Sequence, residues 1–459
     1  MRKFVIEAPM KTIAIAAAVL LAASARAHTD PRFDGKPSDP LPFITIEAPT
    51  PASRSVTARF WGQFATPGDG KAARNIANDS GISIEEVKPG HAAGISTPEA
   101  LELARKAGVK ILSVSSLEQR FGTLDFPAKD SIYHNYERMV KALNEIVASA
   151  PDIASKFSIG KSVQDKDLWA LRLTRGVKGA AASAKPGIVF LGTHHAREHL
   201  STEIPLMLAK HLADNRAQPE IAKLLDTRDI YIIPMVNPDG VEHDISNGTY
   251  QMHRKNMAQN HDGTTGVDLN RNYGYGWGAR GSSSNPNNDT YRGPSAFSEP
   301  ETKAVKAFVE SHKNLKILLS YHTYSELILY PWGGKNDPIT DEIDGKPAHE
   351  AYLAMSEEMG KMTGYTPQQA SSLYLVSGDT CDWAWGQHKI FSFTFELTPQ
   401  SLWEGGFYPG PEVIAATFEA NIRPALYLID LADNPMRARE GTSAFALTPA
   451  KPKVGKALQ

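Results

Sequence analysis

The chain has 459 residues, a length that predicts one large domain with a smaller one, or two to three domains. Its hydrophobic content of 41% is ordinary for a globular protein with a sizeable core. The formal net charge of −2 gives no indication of the basic stripe that a nucleic-acid or acidic-membrane partner would require, so neither partner is expected. The single cysteine, Cys381, excludes an intramolecular disulfide.

The N-terminus predicts export. Basic residues precede an apolar run at 12–23, and Ala25-Arg26-Ala27 follows as a typical cleavage pattern. We therefore predict a signal peptide over 1–27, a secreted or periplasmic protein, and no stable membrane association after cleavage. The apolar run is too short to span a bilayer, and an uncleaved anchor is the alternative. Residues 28–54, rich in Pro, Asp and Ser, predict an extended lead-in.

Residues 55–116 predict a small α+β unit, because alternating and β-branched segments are interleaved with helical ones. Strands are expected at Ser55–Phe64, Ile82–Val87 and Val109–Val114, and helices at Lys71–Ala77 and from Pro98 to Ala107. Thr97 is the expected capping residue of the second helix. Residues 117–128 are interpreted as a linker.

From 129 to 434 short apolar strands alternate with helices, a pattern that predicts an α/β domain with a mixed, largely parallel sheet flanked by helices. A helix is expected from Ser131, and Ser298 with Glu301 predicts a capping box. Further strands are expected at Ile188–Leu191, Ile230–Val236, Ile317–Tyr321 and Phe391–Phe395, and helices at Leu200–Leu212 and Pro300–Val309. Residues 435–459 contain few large apolar residues and predict a disordered tail.

A candidate metal site follows the strand that ends near Gly192. His195 and Glu198 form a His-x-x-Glu pair, and imidazole and carboxylate are the ligands that a catalytic zinc uses. His322, directly after another buried strand, is the candidate third ligand. His199 offers a rival His-x-x-Glu-His reading with both histidines inside one helix, whereas the strand-end position of His195 favours the first reading. His199 is then expected on the surface of a helix, and His194 is expected to position its neighbour.

Two further segments carry chemistry. Glu396 ends a buried strand, where a carboxylate is costly unless it is paired or functional, and is the candidate general base or, alternatively, part of a structural ion pair. Asn270 and Arg271 place an amide beside an arginine fork, a combination suited to binding a carboxylate, although a turn with a surface arginine would look the same.

Together these residues resemble the zinc carboxypeptidases of the carboxypeptidase A, B and T type. The resemblance covers roughly 125–434. It is carried by seven motifs in order: HHAREH (194–199), NPDG (237–240), HRKN (253–256), GVDLNRN (266–272), YHTYSELILYPWG (321–333), YLVSGDTCDW (374–383) and FTFEL (393–397).

The resemblance implies one Zn²⁺ per chain, held by His195, Glu198 and His322, and removal of the C-terminal residue of peptides or proteins by a monomer. Glu396 would be the general base and Arg254 would stabilise the oxyanion. Other implied roles are the binding of the terminal carboxylate by Asn270, Arg271 and Tyr374, approach subsites at Arg197 and Tyr324, and support of a zinc ligand by Asp268.

The resemblance also implies that 55–116 is a propeptide covering the cleft, with Arg120 as a plausible processing point; a stable accessory domain is the alternative. Cys381 falls at the floor of the specificity pocket. Asp379 either reaches that pocket to pair with Lys or Arg, which would give a broad apolar and basic preference, or only closes a turn after Gly378. The competing functions are a zinc deacylase of N-acyl amino acids, a carboxypeptidase of peptidoglycan peptides, and a non-catalytic binding module.

Overall fold

The computed structural model describes residues 58–121, 128–176 and 178–447, all of which lie in one compact unit spanning Glu47–Gln459. The predicted signal peptide and lead-in lie outside the described residues, as do 122–127 of the predicted linker. Among the helices that are described, none has the length and apolar character needed to cross a membrane. The domain limits expected from the sequence stay a prediction.

The N-terminal part is an antiparallel four-stranded sheet with two helices on it, here called the small unit (58–116). Its strands, in the spatial order β2-β3-β1-β4, are β1 Phe60–Ala65, β2 Ser83–Lys88, β3 His91–Ser96 and β4 Ile111–Ser116. Its helices are α1 Lys71–Asp79 and α2 Pro98–Lys106, and α3 Leu117–Phe121 follows. Thr97 caps α2 as predicted, since its side chain accepts a hydrogen bond from the Ala100 amide.

Strand β3 was not expected from the sequence. Its residues, His91 to Ser96, include two alanines and a glycine, which have weak β propensity. The strand forms because it is hydrogen-bonded on both sides, and a Cβ at Gly94 would lie only 2.0 Å from the Ser83 carbonyl oxygen. Close backbone approach, rather than side-chain pattern, determines this strand.

The larger part, from 128 onward, is built on an eight-stranded mixed sheet in the order β13-β10-β14-β9-β7-β8-β6-β5. The four central strands, β14, β9, β7 and β8, are mutually parallel, which confirms the predicted fold class. The strands are β5 Ala154–Lys161, β6 Asp167–Leu173, β7 Gly187–Gly192, β8 Asp229–Ile233, β9 Leu315–Thr323, β10 Leu327–Tyr330, β13 Thr366–Gln369 and β14 Phe391–Leu397, with a separate hairpin of β11 Glu342–Ile343 and β12 Lys346–Pro347.

Helices cover both faces of this sheet because successive strand residues point to opposite sides. In β7, Ile188 and Phe190 join one buried cluster, whereas Val189 and Leu191 join another. The helices are α4 Tyr136–Ser149, α5 Leu200–Asp214, α6 Pro219–Thr227, α7 Pro238–Asp244, α8 Pro300–Ser311, α9 Ala348–Thr363, α10 Thr380–His388 and α11 Ile414–Leu431.

Two expectations about the starts of helices are corrected. The helix expected from Ser131 begins at Tyr136, where the Asn135 side chain caps it, and a short 3₁₀ turn precedes it. The capping box of Ser298 and Glu301 does not form, because Glu301 instead accepts hydrogen bonds from the Val163 amide and Asn256.

The predicted disordered tail is wrong for residues 435–447, where a 3₁₀ helix (Pro435–Glu440) forms and Met436 and Phe445 pack on the core. Residues 448–459 lie outside the described residues.

Candidate metal centre and active site

Three ligand-type side chains converge at the carboxyl edge of the central strands. His195 and Glu198 lie in the turn between β7 and α5, and His322 lies near the end of the adjacent strand β9. The Nδ1 atoms of His195 and His322 are 3.1 Å apart, and each lies within 2.7–2.9 Å of a different carboxylate oxygen of Glu198. All three side chains are buried, and their ligand atoms lie within 4.8 Å of one another.

The turn that carries His195 and Glu198 depends on close backbone packing. A Cβ at Gly192 would lie 2.3 Å from the Ser201 carbonyl oxygen and 2.5 Å from that of Pro234, so only glycine fits there. Thr193 follows with a φ of 52°, and its hydroxyl forms hydrogen bonds with the hydroxyls of Ser201 and Thr202. The chain therefore turns sharply off the strand, which places His195 over the sheet edge rather than inside α5.

The donor set fits a zinc ion. Two imidazole nitrogens and a carboxylate are a typical catalytic zinc set with a further position open. The His195 Nε2 atom lies 3.1 Å from Asp268 Oδ1, so this nitrogen carries the proton and the Nδ1 lone pair faces the other two ligands. Without a cation, three lone-pair acceptors would face one another in a buried site.

Asp268 connects this centre to Arg254. Its Oδ2 atom accepts a hydrogen bond of 2.9 Å from Arg254 Nε, while Arg254 Nη1 lies 4.0 Å from Glu198 Oε1. Burial opposes ionisation of Asp268, yet Arg254 and His195 hold the pKa of that carboxyl well below its ordinary value. Asp268 therefore stays an anion that fixes both a metal ligand and the arginine beside it.

His194 lies behind the ligands, where its ring supports His322; the expectation that it positions His195 stays a prediction. Its ring stacks on that of His322 at 5.6 Å between centroids, and its Nε2 lies 2.9 Å from the Tyr273 hydroxyl. The expectation for His199 is wrong. This residue is buried rather than on a helix surface, because its Nε2 lies 2.8 Å from the buried Asp244 carboxylate. His199 is also not among the residues whose ligand atoms converge.

Glu396 reaches the centre from β14, the strand next to β9. In the parallel register of these strands Glu396 is paired with His322, so the two side chains leave the sheet at the same level. Burial raises the pKa of Glu396 well above its ordinary value, the nearby Glu198 carboxylate raises it further, and Arg254 opposes both. A half-buried carboxylate beside a metal-binding trio, open to the cavity, is the arrangement that a general base requires.

Asn270, Arg271 and Tyr374 line the same cavity of about 480 Å³ as the trio and Glu396. The Arg271 guanidinium is fixed by hydrogen bonds from Nε to the Gly281 carbonyl (3.0 Å) and from Nη1 to the Asn270 carbonyl (2.9 Å). Asn270 is held because its side-chain oxygen accepts from the Thr380 amide and hydroxyl, both at 2.9 Å. Chain positions more than 100 residues apart thus form one polar wall.

Asp379 and Cys381 also line the cavity. One oxygen of Asp379 caps α10 by accepting from the Asp382 amide at 2.9 Å, and the other, buried, has no hydrogen-bond partner among the described residues. The Cys381 sulfur lies 3.1 Å from the Thr394 hydroxyl, and burial raises the pKa of the thiol. The carboxylate therefore closes a turn with one oxygen and leaves the other at the cavity.

Arg197 and Tyr324 lie where the small unit meets the larger part. Arg197 is fully buried between Glu85 of β2 (2.6 Å) and Asp289 (2.9 Å). Tyr324 packs in a cluster with Trp61 of β1 and with Phe407. Sequence reasoning missed Glu85 and Asp289. No local pattern marks Glu85, because charged residues are typical of an exposed edge strand, and β2 is an edge strand.

Comparison with known proteins agrees with this geometry. The family profile described as zinc carboxypeptidase matches residues 139–423. This chain belongs to the zinc carboxypeptidase family. It is similar to a zinc carboxypeptidase of Saccharothrix mutabilis subsp. capreolus, with 38% identity over 67% of this chain and 71% of that protein. Human carboxypeptidase A1 is 33% identical over 62% of this chain and 67% of its own length.

The fold is that of solved carboxypeptidases. The crystal structure of carboxypeptidase A from Helicoverpa armigera matches with a TM-score of 0.66 and 23% identity, covering 84% of this chain and 98% of that one. As a zinc carboxypeptidase, the protein is a peptidase that removes C-terminal residues by hydrolysis of the peptide bond. Its zinc is held by His195, Glu198 and His322.

Proposed function

We propose that this zinc carboxypeptidase acts outside the cytoplasm, as a secreted or periplasmic monomer, on free C-termini of peptides or proteins. The observation that supports the proposal is one cavity that combines the metal trio, the carboxylate of Glu396 and the fixed fork of Arg271. A carboxylate-binding fork beside a hydrolytic centre suits an exopeptidase, since the terminal carboxylate then defines which bond lies at the metal.

We assign the proton transfers to Glu396. When bound, zinc would act as a Lewis acid that polarises the scissile carbonyl and lowers the pKa of water. Glu396 accepts the proton of the attacking water on its carboxylate and delivers it to the leaving amine nitrogen, which leaves as the new amino terminus of the released residue. Its position level with His322 in the sheet supports this role.

Arg254 is assigned to the negative charge that develops on the carbonyl oxygen. Its Nε atom is engaged with Asp268, and this contact aims the rest of the guanidinium toward Glu198 and the cavity. Burial makes such a preorganised cation effective, because water does not screen it.

Asn270, Arg271 and Tyr374 are assigned to the terminal carboxylate. Asp379 and Cys381 then lie on the side that receives the C-terminal side chain. An apolar wall that includes Leu329 and Val376, together with one unpartnered carboxylate oxygen of Asp379, favours acceptance of both apolar and basic residues.

We further propose that the small unit is a propeptide that covers the cleft. Ile84, Glu85 and Glu86 of β2 form one wall of the cavity, and Glu85 also forms an ion pair with the buried Arg197. The Helicoverpa armigera carboxypeptidase A aligns over 84% of this chain, more than the residues from 128 onward could supply. Arg120 is a poor processing point in this arrangement, since its guanidinium lies over the Trp61 and Trp403 rings at 5.5 and 4.2 Å.

The test is a digestion of peptide pairs that end in a free acid or in an amide, with the intact chain and with a form from which the small unit has been removed by limited proteolysis. The form without the small unit should release single residues from the acids, at least about 100-fold faster than from the amides, since a charge-assisted bidentate contact contributes roughly 3 kcal/mol. A chelator should abolish the activity and zinc should restore it. Equal cleavage of acids and amides, or turnover of N-acyl amino acids alone, would refute the proposal.

A further inference from the structure

The zinc ligands and Arg254 lie on separate segments of the chain that meet through their backbones. The turn of 193–198, here called the ligand turn, carries His195 and Glu198, and the segment 253–256 carries Arg254. The Ala196 amide donates to the Arg254 carbonyl at 3.1 Å, which places the two segments side by side. The position of the Arg254 guanidinium relative to the ligands therefore depends on how these two backbones are joined.

A second link between the two segments is the side chain of Asn237, the first residue of the motif NPDG (237–240). It is fully buried, and its Nδ2 atom donates to the carbonyls of His194 and Lys255, both at 3.1 Å. The Asn237 amide also donates to the Thr193 carbonyl at 3.0 Å. One side-chain amide thus holds the residue directly before a zinc ligand and the residue directly after Arg254.

The rest of the motif fixes the orientation of this side chain. The Gly240 amide donates to Asn237 Oδ1 at 3.1 Å, so Nδ2 faces the two carbonyls, which need a donor. A Cβ at Gly240 would lie 2.7 Å from Nδ2, from Oδ1 and from the Lys255 carbonyl oxygen, so a larger residue would push the link apart. Pro238 occupies the first turn of α7, where its missing amide hydrogen costs nothing.

The segment with Arg254 has other attachments, which lie on its far side. The Asn256 amide donates to the Val267 carbonyl at 3.0 Å, and Asn256 Oδ1 accepts from the Val267 amide at 2.8 Å. Arg254 Nε donates to Asp268 at 2.9 Å. Without the Asn237 side chain the segment would stay attached to Val267 and Asp268, and its spacing from the ligand turn would relax.

We propose that Asn237 is a positioning residue for the hydrolysis, which sets the place of Arg254 relative to the zinc ligands by joining the His194 and Lys255 carbonyls. The inference rests on the proposed assignment of Arg254 to the oxyanion. Asn237 itself touches no reacting atom. A cation placed for a charge that exists only in the transition state contributes to kcat and little to KM, so loss of the link lowers kcat selectively.

The experiment combines Asn237→Ser and Arg254→Ala, singly and together. Each variant is made as the full chain, loaded with zinc, and assayed after limited proteolysis of the small unit. Serine still caps α7, because its hydroxyl accepts from the Gly240 amide, but it does not bridge the two carbonyls. Asn237→Asp, which keeps the cap oxygen and loses both donor hydrogens, gives the same comparison if the serine variant does not fold.

The matched control is Asn135→Ser. This is the same exchange at another helix cap, since the Asn135 side chain accepts from the Arg138 amide at the start of α4. It should change neither kcat nor KM.

We expect Arg254→Ala to lower kcat by about 10²-fold or more, as for removal of an oxyanion donor. Asn237→Ser should lower kcat by roughly tenfold or more, with KM within about twofold and zinc content unchanged. In the Arg254→Ala background the same exchange should cost less than about twofold, because the residue acts through the arginine. Affinity for a phosphonate peptide analogue, whose tetrahedral oxygen mimics the oxyanion, should fall with kcat, whereas affinity for the product amino acid should not.

An equal loss of kcat in both backgrounds would overturn the inference, since a purely structural role adds to the loss of Arg254. An unchanged kcat in Asn237→Ser, or a fall that follows zinc content, would also overturn it. Failure of the oxyanion assignment looks different: Arg254→Ala then retains kcat by itself, whatever the Asn237 variants do.

Discussion

The two sides of the cleft are built in different ways. On the side of the large sheet, the residues around the metal and Arg271 are fixed by contacts within their own part of the chain: Asp268 holds His195 and Arg254, and the Gly281 and Asn270 carbonyls hold Arg271. On the side of the small unit, Glu85 and helix α1 make their polar contacts across the boundary. The catalytic side is therefore preorganised without its cover, and the cover depends on a limited set of interactions that can be released.

The largest expected effect comes from removing the general base assigned to Glu396. Glu396→Gln should lower the turnover of the form without the small unit by about 10³-fold, within the usual range for loss of a general base, because the amide accepts no proton. Zinc content, measured by elemental analysis, should be unchanged, since Glu396 is not a ligand. Glu412→Gln, an exposed carboxylate, is the control. Retained turnover in Glu396→Gln would remove the assigned role.

The next largest effect comes from weakening the contact that holds the small unit over the cleft. Glu85→Gln keeps the shape of the side chain but leaves a neutral partner for the buried Arg197, so the charge-assisted part of that contact is lost. Basal turnover of the intact chain should rise by roughly tenfold, corresponding to about 1.4 kcal/mol between charged and neutral hydrogen bonds. Glu102→Gln in the same unit should have no effect. A basal rate unchanged by Glu85→Gln would show that this ion pair does not hold the cover.

An effect of similar size, but confined to substrates with basic C-terminal residues, tests the pocket on the catalytic side. Asp379→Asn retains an oxygen for the Asp382 amide at the start of α10, and so changes the charge without removing the cap. We expect kcat/KM for substrates ending in Lys or Arg to fall by about tenfold relative to those ending in Leu. A uniform fall for all substrates, or a lowered melting temperature, would instead assign Asp379 to structure alone.

The last prediction concerns Glu301, which lies away from the cleft. It affects stability and leaves turnover unchanged. Burial raises the pKa of Glu301 to about 7, and its side chain accepts from the Val163 amide and Asn256. Because the folded-state pKa lies above the unfolded value, the folded state takes up the proton more readily. The stability that this proton contributes is present at low pH and is lost as pH rises through about 7.

Glu301→Gln should therefore remove about 1–2 kcal/mol of the difference in unfolding free energy between pH 5.5 and pH 8, with turnover unchanged. Denaturant titrations at both pH values measure it. Glu310→Gln, on the same helix but partly exposed, should leave the difference in place. An unaltered pH dependence in Glu301→Gln would mean that Glu301 is ionised throughout this range in the folded protein.

The two parts of the chain differ in how much of their structure the sequence predicts. The four central strands of the large sheet, β7, β8, β9 and β14, were predicted because buried parallel strands are continuous apolar runs. The outer strands β5, β6 and β10 were not predicted. Strand β3 and the polar edge strand β13 were missed, since one is held by close backbone approach and the other has polar residues on both faces. His199 was misplaced for a related reason: its partner Asp244 is 45 residues away, so only the folded chain shows why an imidazole is buried there.

By itself, the sequence determined the family, the zinc trio of His195, Glu198 and His322, and the mixed sheet that carries them. The family follows from the resemblance carried by seven motifs in order. The candidate ligands and the sheet follow from residue types at the ends of predicted strands, and a strand end fixes where a side chain lies. Only the tertiary structure decided which groups act on them: that Asp268 supports both His195 and Arg254, that Asp379 leaves one oxygen at the cavity, and that Glu85 and α1 of the small unit reach the site. Such contacts join residues up to 300 positions apart, and their pairing depends on packing geometry that a local pattern does not encode.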